Sequence, residues 1–260
     1  MNSFFINGKY LYLSFSLICI ISIIAFFMLL LNSNTSIMTS ADADTGLTLQ
    51  EKLNHIYDST EKVAYLTFDD GPTKVATPAI LDILKENDVK ATFFVIGSRV
   101  EEFPEIVART YNEGHLIANH TYSHRNSKIY VDKDSFIQEL SHANDVISTA
   151  IGVPDYNSHI FRFPNGSKSN VYFHQKLKCI SYLEELGYGY IDWNALNNDS
   201  VKNYSSSQLL ENLKKSTKNK NSLVVLMHDT NDVSKSYLAL DDSIKYLKEQ
   251  GYTFKTFSDL

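Results

Sequence analysis

Two groups of residues in this sequence combine side chains that could bind a metal ion and activate water. Asp69 and Asp70 are adjacent carboxylates that follow the apolar run 63–66 and precede the turn residues Gly71 and Pro72. Neighbouring residues of a strand point to opposite faces, so one carboxylate can bind a cation while the other faces substrate or water. Two carboxylates this close repel each other, and one would take up a proton unless a cation were supplied. A bound metal ion would meet that need.

The second group consists of His120 and His124. At a spacing of four residues, two side chains fall on one side of a helical turn. Two neutral imidazole nitrogens and one carboxylate oxygen form a three-ligand set with an open position, which is typical of catalytic zinc. The sequence therefore predicts a metal site that joins these histidines to one of the two carboxylates, with the fourth position left for water.

The elements that must position these residues alternate between strands and helices from Glu61 onward. Apolar runs of strand length begin near residues 63, 91, 115, 160, 188, 223 and 252, and stretches with helical periodicity lie between them. Strands that alternate with helices predict a parallel sheet with flanking helices. The polar motifs fall at or just past the C-terminal ends of the strands, where open α/β sheets and (β/α) barrels place their sites. Spacing alone leaves open which of these two architectures is present.

Five short motifs, taken in order, resemble those of the metal-dependent polysaccharide deacetylases of carbohydrate esterase family four. They are TFDDGP at 67–72, HTYSH at 120–124, RFPNG at 162–166, the segment 193–199 and LMH at 226–228. The resemblance covers roughly residues 60–260. It implies an α/β fold, the family's irregular seven-stranded (β/α) barrel, and an enzyme that hydrolyses N-acetyl groups of a polysaccharide.

The resemblance also implies the roles of the residues in the first three motifs. Asp70, His120 and His124 would bind a divalent metal, with Zn²⁺ expected first and Mn²⁺ or Co²⁺ as alternatives. Asp69 would be the general base, and a cation on its neighbour would help it to stay ionised. Arg162 would pair with Asp69 and orient it.

The last two motifs would supply the general acid. His228 follows an apolar strand in the position of the family's catalytic acid. Alignment of the fourth motif puts Asp199 beside that histidine, where a carboxylate would raise the pKa of the imidazole and keep it protonated. Asp192 is the competing candidate. Ser200 departs from the family, which commonly has a groove tryptophan there, although Trp193 could contribute to the groove.

The same resemblance implies three substrate contacts. Asn165 stands where the family commonly has an aromatic residue, but the role in question needs only its backbone N–H, as a donor to the oxyanion. Trp193 and Leu226 are the other two expected contacts.

Composition bounds the class of protein. The chain has 260 residues, of which 43% are hydrophobic and 21% charged, with a net charge of −6. These values are those of a globular domain, and the negative balance argues against a nucleic-acid partner, since phosphate binding requires a basic face. Cys19 and Cys179 are far apart in sequence, and the first lies in an apolar run, so we expect no disulfide framework.

The N-terminal region predicts a membrane anchor. Residues 10–31 are almost wholly apolar and carry no charge, and about 20 such residues span the apolar core of a bilayer. Lys9 before the run favours a single-pass protein of the cell membrane with its domain outside the cytoplasm. A signal peptide cleaved after the run is the alternative. The predicted organisation is a cytoplasmic N-terminus at 1–9, a transmembrane signal anchor at 10–31, a stalk at 32–59 and the catalytic domain at 60–260.

An anchored, outward-facing enzyme meets its own cell wall first. We therefore expect the substrate to be N-acetylglucosamine of peptidoglycan. The alternatives are a deacetylase of another exported glycan or of chitin oligomers and, from a different class, a catalytically silent glycan-binding domain tethered to the membrane.

Overall fold

A parallel β-sheet forms the centre of the computed structural model, which describes residues 46–230 and 235–260. Its strands are β1 (Val63–Asp69), β2 (Thr92–Val95), β3 (Leu116–Asn119), β4 (Ile160–Phe161), β5 (Gly189–Tyr190), β6 (Ala195–Leu196), β7 (Ser222–His228) and β8 (Thr253–Phe254). Seven of them lie in the order β5-β4-β3-β2-β1-β7-β6, and β8 pairs with the start of β1. This seven-stranded path curls into a half-barrel.

Helices flank the sheet and connect its strands. They are α1 (Leu49–His55), α2 (Ala76–Glu86), α3 (Gly97–Glu102), α4 (Pro104–Asn112), α5 (Asn126–Ile129), α6 (Lys133–Ile151), α7 (Phe173–Glu185), α8 (Ser206–Thr217) and α9 (Tyr237–Glu249). Short 3₁₀ turns follow α1 at Ile56–Asp58 and end the chain at Phe257–Asp259.

The predicted α/β class and parallel sheet are confirmed, and the architecture is a half-barrel. Each of the seven predicted strand positions holds a strand, and the structure adds the two-residue strand β6. Residues 191–194 connect β5 at one edge of the curled sheet to β6 at the other. At one end of this connection the N–H of Ile191 donates to the carbonyl of Phe161 (3.1 Å), and at the other the N–H of Asn194 donates to the carbonyl of Val224 (3.1 Å). The backbone of this segment therefore spans the gap between the edges.

Strand β1 is an interior strand of the sheet, and all seven of its residues are buried. It pairs with β2 on one side and with β7 on the other, and the second pairing aligns Asp69 with His228. Phe68 on β1 stacks on Phe93 of β2 with 5.1 Å between ring centroids. A strand packed on both sides holds its C-terminal end in a fixed position, and that end carries the adjacent carboxylates.

The compact unit begins at Leu47, earlier than the boundary at residue 60 that the sequence predicts. Thr48 begins helix α1 with a capping box, and Leu53 of this helix is fully buried. The helix packs on β5 so closely that a Cβ on Gly189 would lie 2.4 Å from the Cδ1 atom of Leu53. This apolar contact places residues 47–58, part of the predicted stalk, in the domain.

Gln50 ties the same helix to the edge of the sheet by hydrogen bonds. Its side-chain Oε1 accepts from the backbone N–H of Tyr190 (2.8 Å), and its Nε2 donates to the carbonyl of Tyr190 (3.2 Å). The carboxamide thus occupies both backbone groups of Tyr190, as the backbone of a neighbouring strand would.

The predicted anchor at 10–31 and the first part of the predicted stalk lie outside the described residues. Within residues 46–230 and 235–260, no helix has the length and apolar composition needed to cross a membrane.

Candidate active site

Asp69 and Asp70 lie at the C-terminal end of β1, as the sequence predicts. Asp69 is buried, and Asp70 has a positive φ of 76°. The N–H of Asp70 donates to the carbonyl of Phe94 on β2 (3.2 Å), which fixes this left-handed residue at the strand end. The two carboxylates therefore point in different directions, although both lie near His120.

Asp70 faces the two histidines. Its Oδ1 lies 3.4 Å from Nε2 of His120 and 3.2 Å from Nε2 of His124. The histidines do not lie on a helical turn, because the loop after β3 is irregular and Thr121 and His124 both have positive φ. The N–H of His124 donates to Oγ1 of Thr121 (3.1 Å), which folds the loop back. The sequence correctly predicted that the imidazoles meet, although not the backbone that brings them together.

These three residues fit a divalent metal ion. One ligand atom from each of Asp70, His120 and His124 lies within 4.8 Å of the others. Oδ1 of Asp70 is buried and has no hydrogen-bond partner among the described residues. Nδ1 of His120 lies 2.8 Å from the carbonyl of Arg162 and is therefore the protonated nitrogen, which leaves the lone pair of Nε2 free. Two imidazoles and one carboxylate suit zinc and its neighbours in the first transition row.

The electrostatics of His124 and Asp70 favour the protonation states that a metal needs. For His120 burial lowers the pKa, but the hydrogen bond of Asp70 and the charges of Asp69 and Asp70 outweigh it and raise that pKa, so a metal would have to displace a proton from this imidazole. Burial lowers the pKa of His124 to about 4, assisted by the charge of His120, so this imidazole is neutral near pH 7. Burial alone would raise the pKa of Asp70, but the neighbouring imidazoles of His120, His124 and His228 hold it below its usual range. Metal ligands must be deprotonated, and these two groups meet that condition.

Asp69 binds a buried arginine through Oδ1, while its Oδ2 stays 3.9 Å from Nε2 of His120. Nη1 of Arg162 donates to Oδ1 of Asp69 (2.8 Å) and to Oγ1 of Thr67 (2.7 Å), and Arg162 is fully buried. The guanidinium also lies over the ring of Phe94, 4.0 Å from its centroid. A charge-assisted bond of this kind stabilises an ionised and oriented carboxylate. The predicted pairing of Arg162 with Asp69 is present in the structure.

His228 lies beside Asp69 at the end of β7 and is held by Asp199. Nδ1 of His228 lies 2.8 Å from Oδ1 of Asp199, and its backbone N–H donates to Oδ2 of the same carboxylate (2.7 Å). Burial lowers the pKa of His228, but the hydrogen bond and charge of Asp199 outweigh it and raise that pKa to about 9. Asp192, the competing candidate, accepts instead from the backbone N–H of Ser167 (2.9 Å) and from its hydroxyl (2.6 Å).

Asp229 is a buried carboxylate that the sequence reasoning did not identify. Its N–H donates to the carbonyl of Asp69 (3.2 Å), and its Oδ2 accepts from Oγ1 of Thr77 (2.7 Å). Burial raises its pKa to about 7. A Cβ on Gly71 would lie 1.9 Å from Oδ2 of Asp229, so any larger residue in the turn after Asp70 would displace this buried carboxylate. The sequence signal that could have identified Asp229 is its position directly after His228. Asp229 packs the end of β7 against the turn that follows β1.

The predicted substrate contacts fall into two places. Asn165 and Trp193 line a groove of about 550 Å³ between helix α1 and the loop after β4. A Cβ on Gly166 would lie 3.0 Å from the Trp193 ring, so this ring packs on the loop. Leu226 is buried in β7, two residues before His228 on the same side of the strand, and does not line this groove. The groove's other lining residues are Gln50, Asn54, Tyr57, Ser167, Lys168, Ser169, Tyr190, Ile191, Asp192 and Asn194.

Comparison with known proteins gives relatives of one kind. A peptidoglycan-N-acetylglucosamine deacetylase of Bacillus cereus is 35% identical over 76% of this chain and 70% of its own length. The peptidoglycan-N-acetylmuramic acid deacetylase PdaA of Bacillus subtilis is 33% identical over 82% of this chain and 77% of its own length. These two relatives differ in the sugar that their names give.

Solved structures agree with the sequence comparison. The catalytic domain of a peptidoglycan N-acetylglucosamine deacetylase from Eubacterium rectale superposes with a TM-score of 0.68 at 32% identity, covering 75% of this chain and 88% of that one. A CE4-family pseudoenzyme from Bacillus anthracis has a TM-score of 0.65 at 29% identity, covering 77% of this chain and 66% of that one. The family model for polysaccharide deacetylase matches residues 57–191. The chain belongs to the polysaccharide deacetylase family.

Proposed function

We propose that this protein hydrolyses the N-acetyl group of N-acetylglucosamine in peptidoglycan, with the help of a divalent metal ion. The observation that carries the proposal is that the two adjacent carboxylates have different main partners. Asp70 faces His120 and His124, whereas Asp69 is bound to Arg162 and aligned with His228. A metal-ligand set, a base and an acid therefore lie at neighbouring strand ends.

The chemistry divides among these side chains. When bound by Asp70, His120 and His124, the divalent ion supplies Lewis acidity, which polarises the acetyl carbonyl and lowers the pKa of water. We expect Zn²⁺, with Mn²⁺ and Co²⁺ as alternatives. Asp69 accepts a proton from the attacking water, and Arg162 keeps it ionised and oriented for this task.

The acid and the oxyanion donor complete the reaction. The N–H of Asn165 donates to the oxyanion as the carbonyl carbon becomes tetrahedral. His228 is protonated near neutral pH because its pKa is raised to about 9. It donates its proton to the amide nitrogen as the C–N bond breaks. The products are acetate and the free amino sugar, and no covalent enzyme intermediate is required.

The groove beside helix α1 suits a glycan strand. Tyr57 and Trp193 supply aromatic surface, and Asn54 and Asn165 supply carboxamides that can hydrogen-bond hydroxyl groups. The groove meets the reaction centre at Asn165 and at Trp193, whose ring lies 5.9 Å from the guanidinium of Arg162. A sugar next to the one that is deacetylated would occupy this space.

The location that fits this substrate is the outer face of the cell membrane. The proposed anchor is the uncharged apolar run 10–31. A chain that begins at Gly46 should be active and remain in solution without detergent, because the compact unit begins at Leu47. Recovery of the full-length chain at unaltered mass in a detergent-free soluble fraction would contradict an uncleaved anchor.

Acetate release from defined glycans tests the function. The zinc-loaded protein is incubated with N-acetylglucosamine oligomers and with peptidoglycan strands. Mass spectrometry then locates each sugar whose mass falls by about 42 Da, the difference between an N-acetyl group and a free amine. We expect loss from N-acetylglucosamine, with Asp69→Asn as the inactive control. Loss from N-acetylmuramic acid alone would move the assignment to the activity named for PdaA. Binding of the strands without acetate release would indicate a silent domain, like the pseudoenzyme of Bacillus anthracis.

A further inference from the structure

Lys176 is a fully buried cation on helix α7. Its ammonium donates to the carbonyl of Pro164 (2.9 Å), to the carbonyl of Gly166 (2.7 Å) and to Oγ of Ser169 (2.8 Å). All three N–H groups of the ammonium are therefore satisfied by one loop. Burying an ammonium group is costly unless such hydrogen bonds compensate. The buried position of Lys176 therefore depends on this loop.

The loop contains the turn that carries Asn165. The N–H of Gly166 donates to the carbonyl of Phe163 (2.8 Å), which closes a four-residue turn. Pro164 holds the second position, and Asn165 holds the third with a φ of 64°. Proline followed by a residue with positive φ is the signature of a type II turn. Types I and II differ by a flip of the central peptide, so the turn type decides where the N–H of Asn165 points.

Lys176 binds this central peptide on its carbonyl side. In a trans peptide the C=O and N–H groups point in opposite directions, and among the described residues Gly71–Pro72 is the cis bond. A bond from Nζ of Lys176 to the carbonyl of Pro164 therefore turns the N–H of Asn165 away from the lysine. This N–H makes no hydrogen bond within the part of the chain that the structure describes, so it is free to donate to a ligand.

The next peptide is held from both sides. Lys176 binds the carbonyl of Gly166, and the N–H of Ser167 on the same peptide donates to Oδ1 of Asp192 (2.9 Å). Asp192 thus opposes Lys176 across the loop. Asn165 tolerates a left-handed backbone better than most residues, but this conformation is still less favourable than a right-handed one. Without the lysine, a flip to type I would relieve that cost and reverse the N–H of Asn165.

We propose that Lys176 is a positioning residue of the deacetylation site, which holds the 163–166 turn in its type II form and so aims the N–H of Asn165 at the oxyanion. This inference rests on the proposed function, in which that N–H stabilises the tetrahedral oxyanion. Lys176 itself is buried under the loop and acts through Asn165.

Substitution of Lys176 by methionine tests the inference, with Lys178→Met as the matched control because Lys178 is an exposed lysine of the same helix. Loss of one oxyanion donor costs about 10²- to 10³-fold in kcat, and we expect Lys176→Met to lose about 10- to 100-fold, since part of the population keeps the turn. KM and zinc content should stay within about twofold. Affinity for a tetrahedral phosphonate analogue of the acetyl group should fall by the same factor as kcat/KM, because such analogues track transition-state binding. Lys178→Met should change none of these values.

Unchanged kcat in Lys176→Met, or a loss confined to KM or zinc content, would overturn the inference. If Lys176→Met does not fold, Lys176→Gln is the second variant, because its shorter, uncharged carboxamide has two N–H groups for the three acceptors that Lys176 binds. We expect it to lose kcat and analogue affinity together, and full activity with unaltered analogue affinity would overturn the inference equally. A crystal structure of the folded variant gives a readout independent of activity, in which φ of Asn165 should become negative. An inactive wild-type enzyme would refute the proposed function, whereas an active wild type with an unflipped turn in the variant would refute only the role of Lys176.

Discussion

Replacement of Asp199 by asparagine should move the alkaline limit of activity. Oδ1 of Asp199 lies 2.8 Å from Nδ1 of His228, and its Oδ2 accepts the backbone N–H of the same residue (2.7 Å). Burial opposes the charge on His228, and the hydrogen bond and charge of Asp199 overcome it to raise the pKa to about 9. From the ordinary value near 6.5, this rise corresponds to roughly 3 kcal/mol in favour of the imidazolium.

Asparagine has nearly the same shape but no charge, so burial becomes the larger influence on His228. The pKa of this imidazole should then fall to its ordinary value or below it. At pH 7.5 the protonated fraction would drop from nearly all of the enzyme to about a tenth or less. Since the acid must be protonated to donate, kcat/KM at that pH should fall by about 10-fold or more.

The assay is acetate release from an N-acetylglucosamine oligomer between about pH 5.5 and 10, the range that brackets both pKa values. The descending limb of the pH–rate profile, near pH 9 in the wild type, should shift toward acid by about two and a half pH units or more in Asp199→Asn. Asp192→Asn is the matched comparison, because Asp192 contacts Ser167 instead of His228, and its limb should stay near pH 9. A limb that does not move in Asp199→Asn would refute the assignment of His228 as the acid held by Asp199.

Four further substitutions test other parts of the site. Asp69→Asn should keep zinc and lower turnover by about 10²- to 10⁴-fold, whereas Asp70→Asn should lose zinc. Metal analysis and acetate release are measured on both variants, and the reverse pattern would show that the two roles are exchanged. Gly71→Ala should reduce the free energy of unfolding in urea by about 1–3 kcal/mol through overpacking, since its Cβ would lie 1.9 Å from Asp229; equal stability would contradict this packing. Tyr57→Ala should raise KM for long oligomers but not for a disaccharide, and equal effects on both would remove Tyr57 from the substrate groove.

The sequence predicted the sheet well because its strands are short apolar runs separated by amphipathic helices. It missed β6 because two residues, Ala195–Leu196, give no periodicity to detect. The sequence predicted a boundary at residue 60, whereas the compact unit begins at Leu47; the seven-residue helix α1 looks like a linker when its partner is not visible. Leu53 is buried by contact with Gly189, which lies far along the chain, and only the folded structure brings these residues together.

The site was predictable where chemistry demands particular residue types at strand ends. Asp69, Asp70 and His228 fall into that class. Lys176 and Asp229 could not be predicted in the same way. Lys176 binds the backbone carbonyls of Pro164 and Gly166, which any residue could supply, and the carboxylate of Asp229 is bound by Thr77, which lies far from it in the sequence. A lysine within a helix is ordinarily exposed, and nothing local in the sequence indicates that Lys176 lies beneath the turn of Asn165.

The side chain of Gln50 has a consequence for how the protein behaves in concentrated solution. An open strand edge offers unpaired N–H and C=O groups on which another chain can add, and this is a route to aggregation. The carboxamide of Gln50 occupies both backbone groups of Tyr190 at the β5 edge, and Leu53 covers Gly189 beside it. A chain cut at residue 60 would keep every catalytic side chain named above and would uncover this edge together with an apolar surface. Such a fragment should aggregate, whereas a chain that begins at Gly46 retains the helix and should remain monodisperse.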